Sequence, residues 1–105
     1  MIKVRCLCID DTKRPQEITP SKWVVKDKEY TITHIFWHPQ QKIQGVELAE
    51  VQLTDECFPY ISYSIKRFGI HKEDLEKFEE LLKQCTELSD IDVTSLIEEL
   101  NLEIV

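Results

Sequence analysis

Apolar and polar residues alternate from the first positions of the chain. Ile2, Val4, Cys6 and Cys8 are separated by Lys3, Arg5 and Leu7, the period of two that sends successive side chains to opposite faces of a β-strand. The second face turns apolar at Leu7 and Ile9, so the strand is expected to be buried on both sides near its end. From Asp10 to Ser21 the composition shifts to Asp, Thr, Pro and Lys; Pro15 and Pro20 have no N–H to give a ladder, and the segment reads as a long connecting loop. Trp23–Lys26 predicts a short strand, and the β-branched and aromatic run Tyr30–Trp37 a long one. Beyond Pro39 to Gly45 the alternation returns in part over Val46–Leu53, which predicts an antiparallel partner joined by a loose hairpin. Ile61–Phe68 supplies a fifth strand.

After Gly69 the period changes. Leu75, Phe78, Leu82 and Cys85 recur at spacings of three and four, Leu81 and Leu88 widen the stripe, and Glu and Lys occupy the remaining positions, so residues 71–87 predict an amphipathic helix. A second, shorter helix is expected on the apolar set Val93, Leu96, Ile97 and Leu100, with Ser89, Asp90 or Asp92 as its N-cap. Leu102–Val105 is either a frayed end or an extra edge strand. The expected fold is α+β: a small antiparallel SH3-like β-barrel or curled sheet of about five strands, followed by two C-terminal helices that cover an open side of it. With 105 residues, no internal repeat and no Gly/Ser linker, one domain is expected, a β-rich body over 1–69 and a helical tail over 70–105.

Charge sharpens that division. Residues 1–69 carry ten Lys/Arg against nine Asp/Glu, whereas residues 70–105 carry three against eleven, so the tail holds the excess behind the net charge of −7. An acidic helical surface repels phosphates, which argues against direct nucleic-acid binding through the tail and leaves a basic partner as its complement. No run of apolar residues is long enough for a membrane span, and the start of the chain has no signal-like apolar region, so a cytoplasmic protein with reduced thiols is expected from the four cysteines.

A wider pattern runs through Cys8-Ile9-Asp10-Asp11, Arg14-Pro15, Glu17-Ile18, Trp23, Tyr30, Gly45, Leu48, Glu50, Leu53, Pro59-Tyr60 and Arg67-Phe68. Over roughly the first two-thirds of the chain this resembles a family of small uncharacterised proteins of Bacteroides-type bacteria and their phages and mobile elements. The resemblance implies a source and a fold, and no molecular function. The acidic tail here is longer than the C-terminal ends of that pattern.

Several residues invite a chemical role. Cys6 and Cys8 lie at i and i+2 on one strand face and would project together as metal ligands, but no second cysteine pair follows and the same alternation aligns them with Ile2 and Val4, so they are read as small core residues. Cys57 follows Asp55-Glu56, whose charges disfavour a reactive thiolate. His34 and His38 share a strand face too far apart to clamp one metal unless the strand bends at Pro39, and are read as exposed or edge histidines. Asp10 and Asp11 end a strand, where a carboxylate can hold a cation but more commonly accepts hydrogen bonds from the next turn. Trp37, Phe58, Tyr60 and Tyr63 are expected in the core; any that share an outer face with Arg67 would form a partner-anchoring surface. No P-loop, Rossmann glycine fingerprint, zinc-protease helix or nucleophile elbow occurs.

The sequence therefore predicts a non-enzymatic protein-interaction module without metal or cofactor, monomeric or homodimeric and independent of membranes. Its contact surface is expected among Asp10, Asp11, Trp37, Phe58, Tyr60 and Arg67, in the exposed parts of the Asp10 to Ser21 and Phe58-Pro59-Tyr60 loops. The alternative is an acidic accessory or inhibitory protein that occupies a basic nucleic-acid-binding surface; a thiol or zinc site at Cys6 and Cys8 ranks last.

Overall fold

The structure is a computed structural model that describes residues 2–38, 43–58, 60–85 and 93–105, with the side chains of Trp37, His38, Ile43, Gln44, Val93, Thr94, Leu96 and Leu100 outside the description. The initial alternation becomes β1 (Val4–Cys8), in which Val4, Cys6 and Cys8 enter the core and Arg5 faces out. Its antiparallel neighbour β2 (Glu29–His38) sets Val4 opposite Ile32 and Cys6 opposite Tyr30. On the other side of β2 lies β3 (Ile43–Leu48), with a register shift between Ile32 and His34. Residues three apart cannot share a face of a regular strand, and this bulge lets both Ile32 and Ile35 be fully buried.

β4 (Tyr63–Ser64) pairs with β3, and β5 (Phe68–Ile70) with the free side of β1. The chain ends on β6 (Glu103–Ile104), parallel to β5. The result is an α+β fold on a curled six-stranded sheet of order β4-β3-β2-β1-β5-β6, with β4 and β6 at its two edges. Among the described residues six strands stand where about five were expected, and the parallel β5–β6 pair makes the sheet mixed instead of purely antiparallel.

Three expected strands are cut back, each for a local reason. Trp23–Lys26 forms no strand: Pro20–Lys22 is a 3-10 turn closed by the Trp23 N–H on the Pro20 carbonyl, and the chain then reverses through Asp27 at φ 70°. The strand expected over 46–53 stops at Leu48, because the Glu50 carboxylate accepts the Thr31 N–H and hydroxyl, both at 2.7 Å, where a ladder partner would otherwise stand. Ile61–Phe68 is broken by a 3-10 turn at Ile65–Arg67, which the Ser64 hydroxyl caps by accepting the Lys66 N–H.

The tail packs on the body. A 3-10 turn at Lys72–Asp74 leads into α1 (Leu75–Cys85), whose Phe78, Leu81 and Leu82 are buried against β2 and β1. Helix α2 (Val93–Leu100) follows; Ile97 packs on the same core. Leu88 and the proposed caps Ser89, Asp90 and Asp92 lie outside the described residues. Asn101 ends α2 in the left-handed region at φ 54°, a conformation that asparagine tolerates well, and turns buried Leu102 and β6 back to the sheet. Among the described residues no helix is long and apolar enough to cross a membrane.

Candidate functional site

The loop after β1 is built by its own side chains. Asp10 accepts both the N–H (2.9 Å) and the hydroxyl (2.5 Å) of Thr12, an Asx turn that holds its carboxylate below the ordinary aspartate range. Asp11 uses two groups: its carboxylate accepts the Lys26 N–H at 3.0 Å and its carbonyl accepts the Trp23 indole N–H at 2.7 Å. The guanidinium of Arg14 closes the following turn on the Ile18 carbonyl, and Ile18 is buried. The two aspartates thus serve turn geometry.

Arg67 completes this scaffold from the opposite side. Its guanidinium lies 4.7 Å from the centre of the Trp23 ring, donates to the carbonyls of Asp10 (3.3 Å) and Thr12 (2.7 Å), and stands 3.6 Å from the Asp10 carboxylate. Four contacts on one planar fork fix it as a brace between the loop and the sheet. Tyr63 also packs on Trp23, ring centres 6.1 Å apart, and its hydroxyl donates to the Lys22 carbonyl at 2.5 Å. Burial pushes the Tyr63 phenol up to about 12, so it remains a donor at every physiological pH.

These groups line a hollow of about 280 Å³, walled by Pro15, Trp23, Tyr60, Tyr63 and Arg67. That volume lies just below the range of ordinary small-molecule pockets and is suited to one or two inserted side chains. The chain leaving the 3-10 turn Asp55–Cys57 exposes Phe58 (76%), Tyr60 (41%) and Ile61 (65%). Three large apolar side chains exposed within four residues of one another are unusual for a solvated loop.

The expected surface set therefore divides. Asp10, Asp11 and Arg67 meet around Trp23, and Tyr60 lines the same hollow. Phe58 and Tyr60 are exposed, the outer-face alternative to the core default for the aromatic group, whereas Tyr63 is buried. The Trp37 side chain lies outside the described residues. Periodicity does not reveal Trp23 or Ile61 as site residues, because Trp23 falls in the expected strand Trp23–Lys26 and Ile61 opens the expected strand Ile61–Phe68. A tryptophan flanked by Pro20, Ser21 and Lys22 in a loop-like stretch was the available signal for the first.

The cysteines occupy other places. Cys6, Cys8 and Cys57 are buried, and burial raises the Cys6 thiol to about 12 and also raises Cys8. For Cys6 and Cys8 these surroundings favour the neutral, unreactive thiol. Among the described residues no group of three or more His, Cys, Asp or Glu side chains is arranged to hold a metal ion. No protein-family model, curated protein or solved structure matches the chain.

Proposed function

We propose that the protein is a non-enzymatic interaction module that binds a protein partner at the Trp23–Tyr63–Arg67 hollow, with Phe58, Tyr60 and Ile61 as the flanking apolar contacts. The observation that carries this reading is the conjunction of a braced aromatic hollow with exposed large apolar side chains beside it. Aromatic residues and arginine dominate the energetic centres of protein interfaces, and a pre-set hollow takes an anchor side chain with little ordering cost. In this reading the curled sheet is a relative of SH3-like barrels, and the protein serves a bacterial or mobile-element host in the cytoplasm.

The acidic tail supports a second mode, occupation of a basic nucleic-acid-binding surface. Glu76 and Glu80 on α1 and Glu98 on α2 are exposed and available to such a partner. A single capture experiment from host extract separates the two. Under the hollow reading the captured protein persists at high salt, is lost from Phe58→Ser/Tyr60→Ser, and is retained by Glu76→Lys/Glu80→Lys. Loss at high salt and with the lysine variant, but not with the serine variant, overturns the hollow in favour of the tail.

A further inference from the structure

A cysteine and a histidine come together only in three dimensions. Cys85, the last residue of α1, places Sγ 3.4 Å from Nδ1 of His34 on β2, and the main-chain N–H of Ile35 points at the same sulfur from 3.4 Å. Both side chains are half-buried, so they remain open to a small reagent while the other three thiols are enclosed. The His34 ring is held edge-on to Phe36, with ring centres 4.6 Å apart. A thiol with an imidazole nitrogen in reach and an N–H aimed at it has the two parts a sulfur nucleophile requires, an acceptor for its proton and a donor for its anion.

We propose that Cys85 is a thiol-modification site, with His34 as its proton acceptor, that forms a mixed disulfide with low-molecular-weight disulfides. In the Nε2–H tautomer, His34 Nδ1 takes the Cys85 proton. Sγ then attacks one sulfur of the incoming disulfide; the new S–S bond forms as the old one breaks. The departing thiolate takes the proton from His34 and leaves as a thiol, so Cys85 is oxidised, the small disulfide is reduced, and no other oxidant is consumed. Because Cys85 packs against the edge of the core where α1 meets β2, the adduct acts on the seating of that helix. This site is separate from the aromatic hollow and stands without it.

The test uses the folded full chain and oxidised glutathione, read by mass spectrometry of the intact protein and of its peptides. One adduct is expected, on Cys85, absent from Cys85→Ser, with a second-order rate about two- to threefold above that of a free cysteine derivative at the same pH, because nucleophilicity falls as the thiolate fraction rises. His34→Gln is expected to return the rate to the free-thiol level. An adduct on Cys6, Cys8 or Cys57, a wild-type rate no faster than the free thiol, or an unchanged rate in folded His34→Gln would each overturn the proposal. Should His34→Gln not fold, the comparison of wild type with the free thiol decides alone.

Discussion

The carboxylate of Asp74, 2% exposed, receives the main-chain N–H of Arg5 at 2.9 Å and its guanidinium Nε and Nη2 at 3.0 Å each. One acidic side chain at the entry to α1 thereby ties the tail to β1, and its partner Arg5 stays half exposed, with Nη2 also 3.3 Å from the Glu73 carboxylate.

The Arg5 hydrogen bonds hold the Asp74 carboxyl at about 2, against an ordinary 3.8. A depressed folded-state value contributes stability that is complete above the unfolded-state value and is lost as pH falls through the folded one. We expect urea denaturation to show about 2 kcal/mol lost between roughly pH 4 and pH 2 on account of this group. Asp74→Asn should remove that part of the acid limb and cost about 2 kcal/mol at neutral pH. An acid limb equally steep in Asp74→Asn would place the effect elsewhere.

Gly45 on β3 is required by a close approach. A Cβ there would lie 1.9 Å from Ser62 Oγ and 2.7 Å from Ser62 Cβ, and the latter cannot swing away. Gly45→Ala should therefore cost about 1–3 kcal/mol by thermal or chemical denaturation. Gly45→Ala/Ser62→Gly should regain most of it, and strict additivity of the two changes would show that the contact is not the cause.

The Trp23 indole and the Arg67 guanidinium hold the loop after β1. Trp23→Leu removes the indole donor from the Asp11 carbonyl and the ring beneath Arg67, and is expected to speed tryptic cleavage after exposed Lys13 by about tenfold, equivalent to about 1.4 kcal/mol of easier local opening. Unaltered cleavage kinetics would mean that the loop is held without Trp23, by the Asp10, Asp11, Arg14 and Arg67 contacts.

Phe58 and Tyr63 stand only five positions apart but should respond oppositely. Phe58→Ser, at a side chain mostly in solvent, is expected to change stability by less than about 0.5 kcal/mol. Tyr63→Phe leaves the Lys22 carbonyl without its donor and should cost about 1 kcal/mol. A large loss in Phe58→Ser would make that residue structural and weaken its place in the proposed contact surface.

Periodicity exposed the parts of this fold whose periods are long and regular. Val4, Cys6 and Cys8 declare β1, and Phe78 and Leu82 declare the buried side of α1, because burial of one face leaves a repeating trace in the sequence. Shorter features hide where side chains compete with the ladder: Glu50 and Ser64 each end a run of strand-like residues by taking a main-chain N–H that no period reports. The hollow was half legible. The sequence points to Asp10, Phe58, Tyr60 and Arg67 as surface, but the apolar run Trp23–Lys26 reads as a strand and conceals the part Trp23 plays. The meeting of Cys85 with His34 depends on how α1 lies across β2, and no spacing within either element encodes it.

The parallel pairing of β6 with β5 bears on the order of assembly. Glu103 and Gly69 are neighbours in the sheet but distant along the chain, with both helices between them. This pairing, like the still longer-range one of β5 with β1, must meet the loop-closure entropy before it is rewarded and so forms slowly. Until it does, Phe68-Gly69-Ile70 offers an unpaired apolar strand edge, the kind of template on which a second chain can add. Refolding of this protein is accordingly a race between intramolecular closure by its own C-terminal strand and self-association, and dilution favours the first.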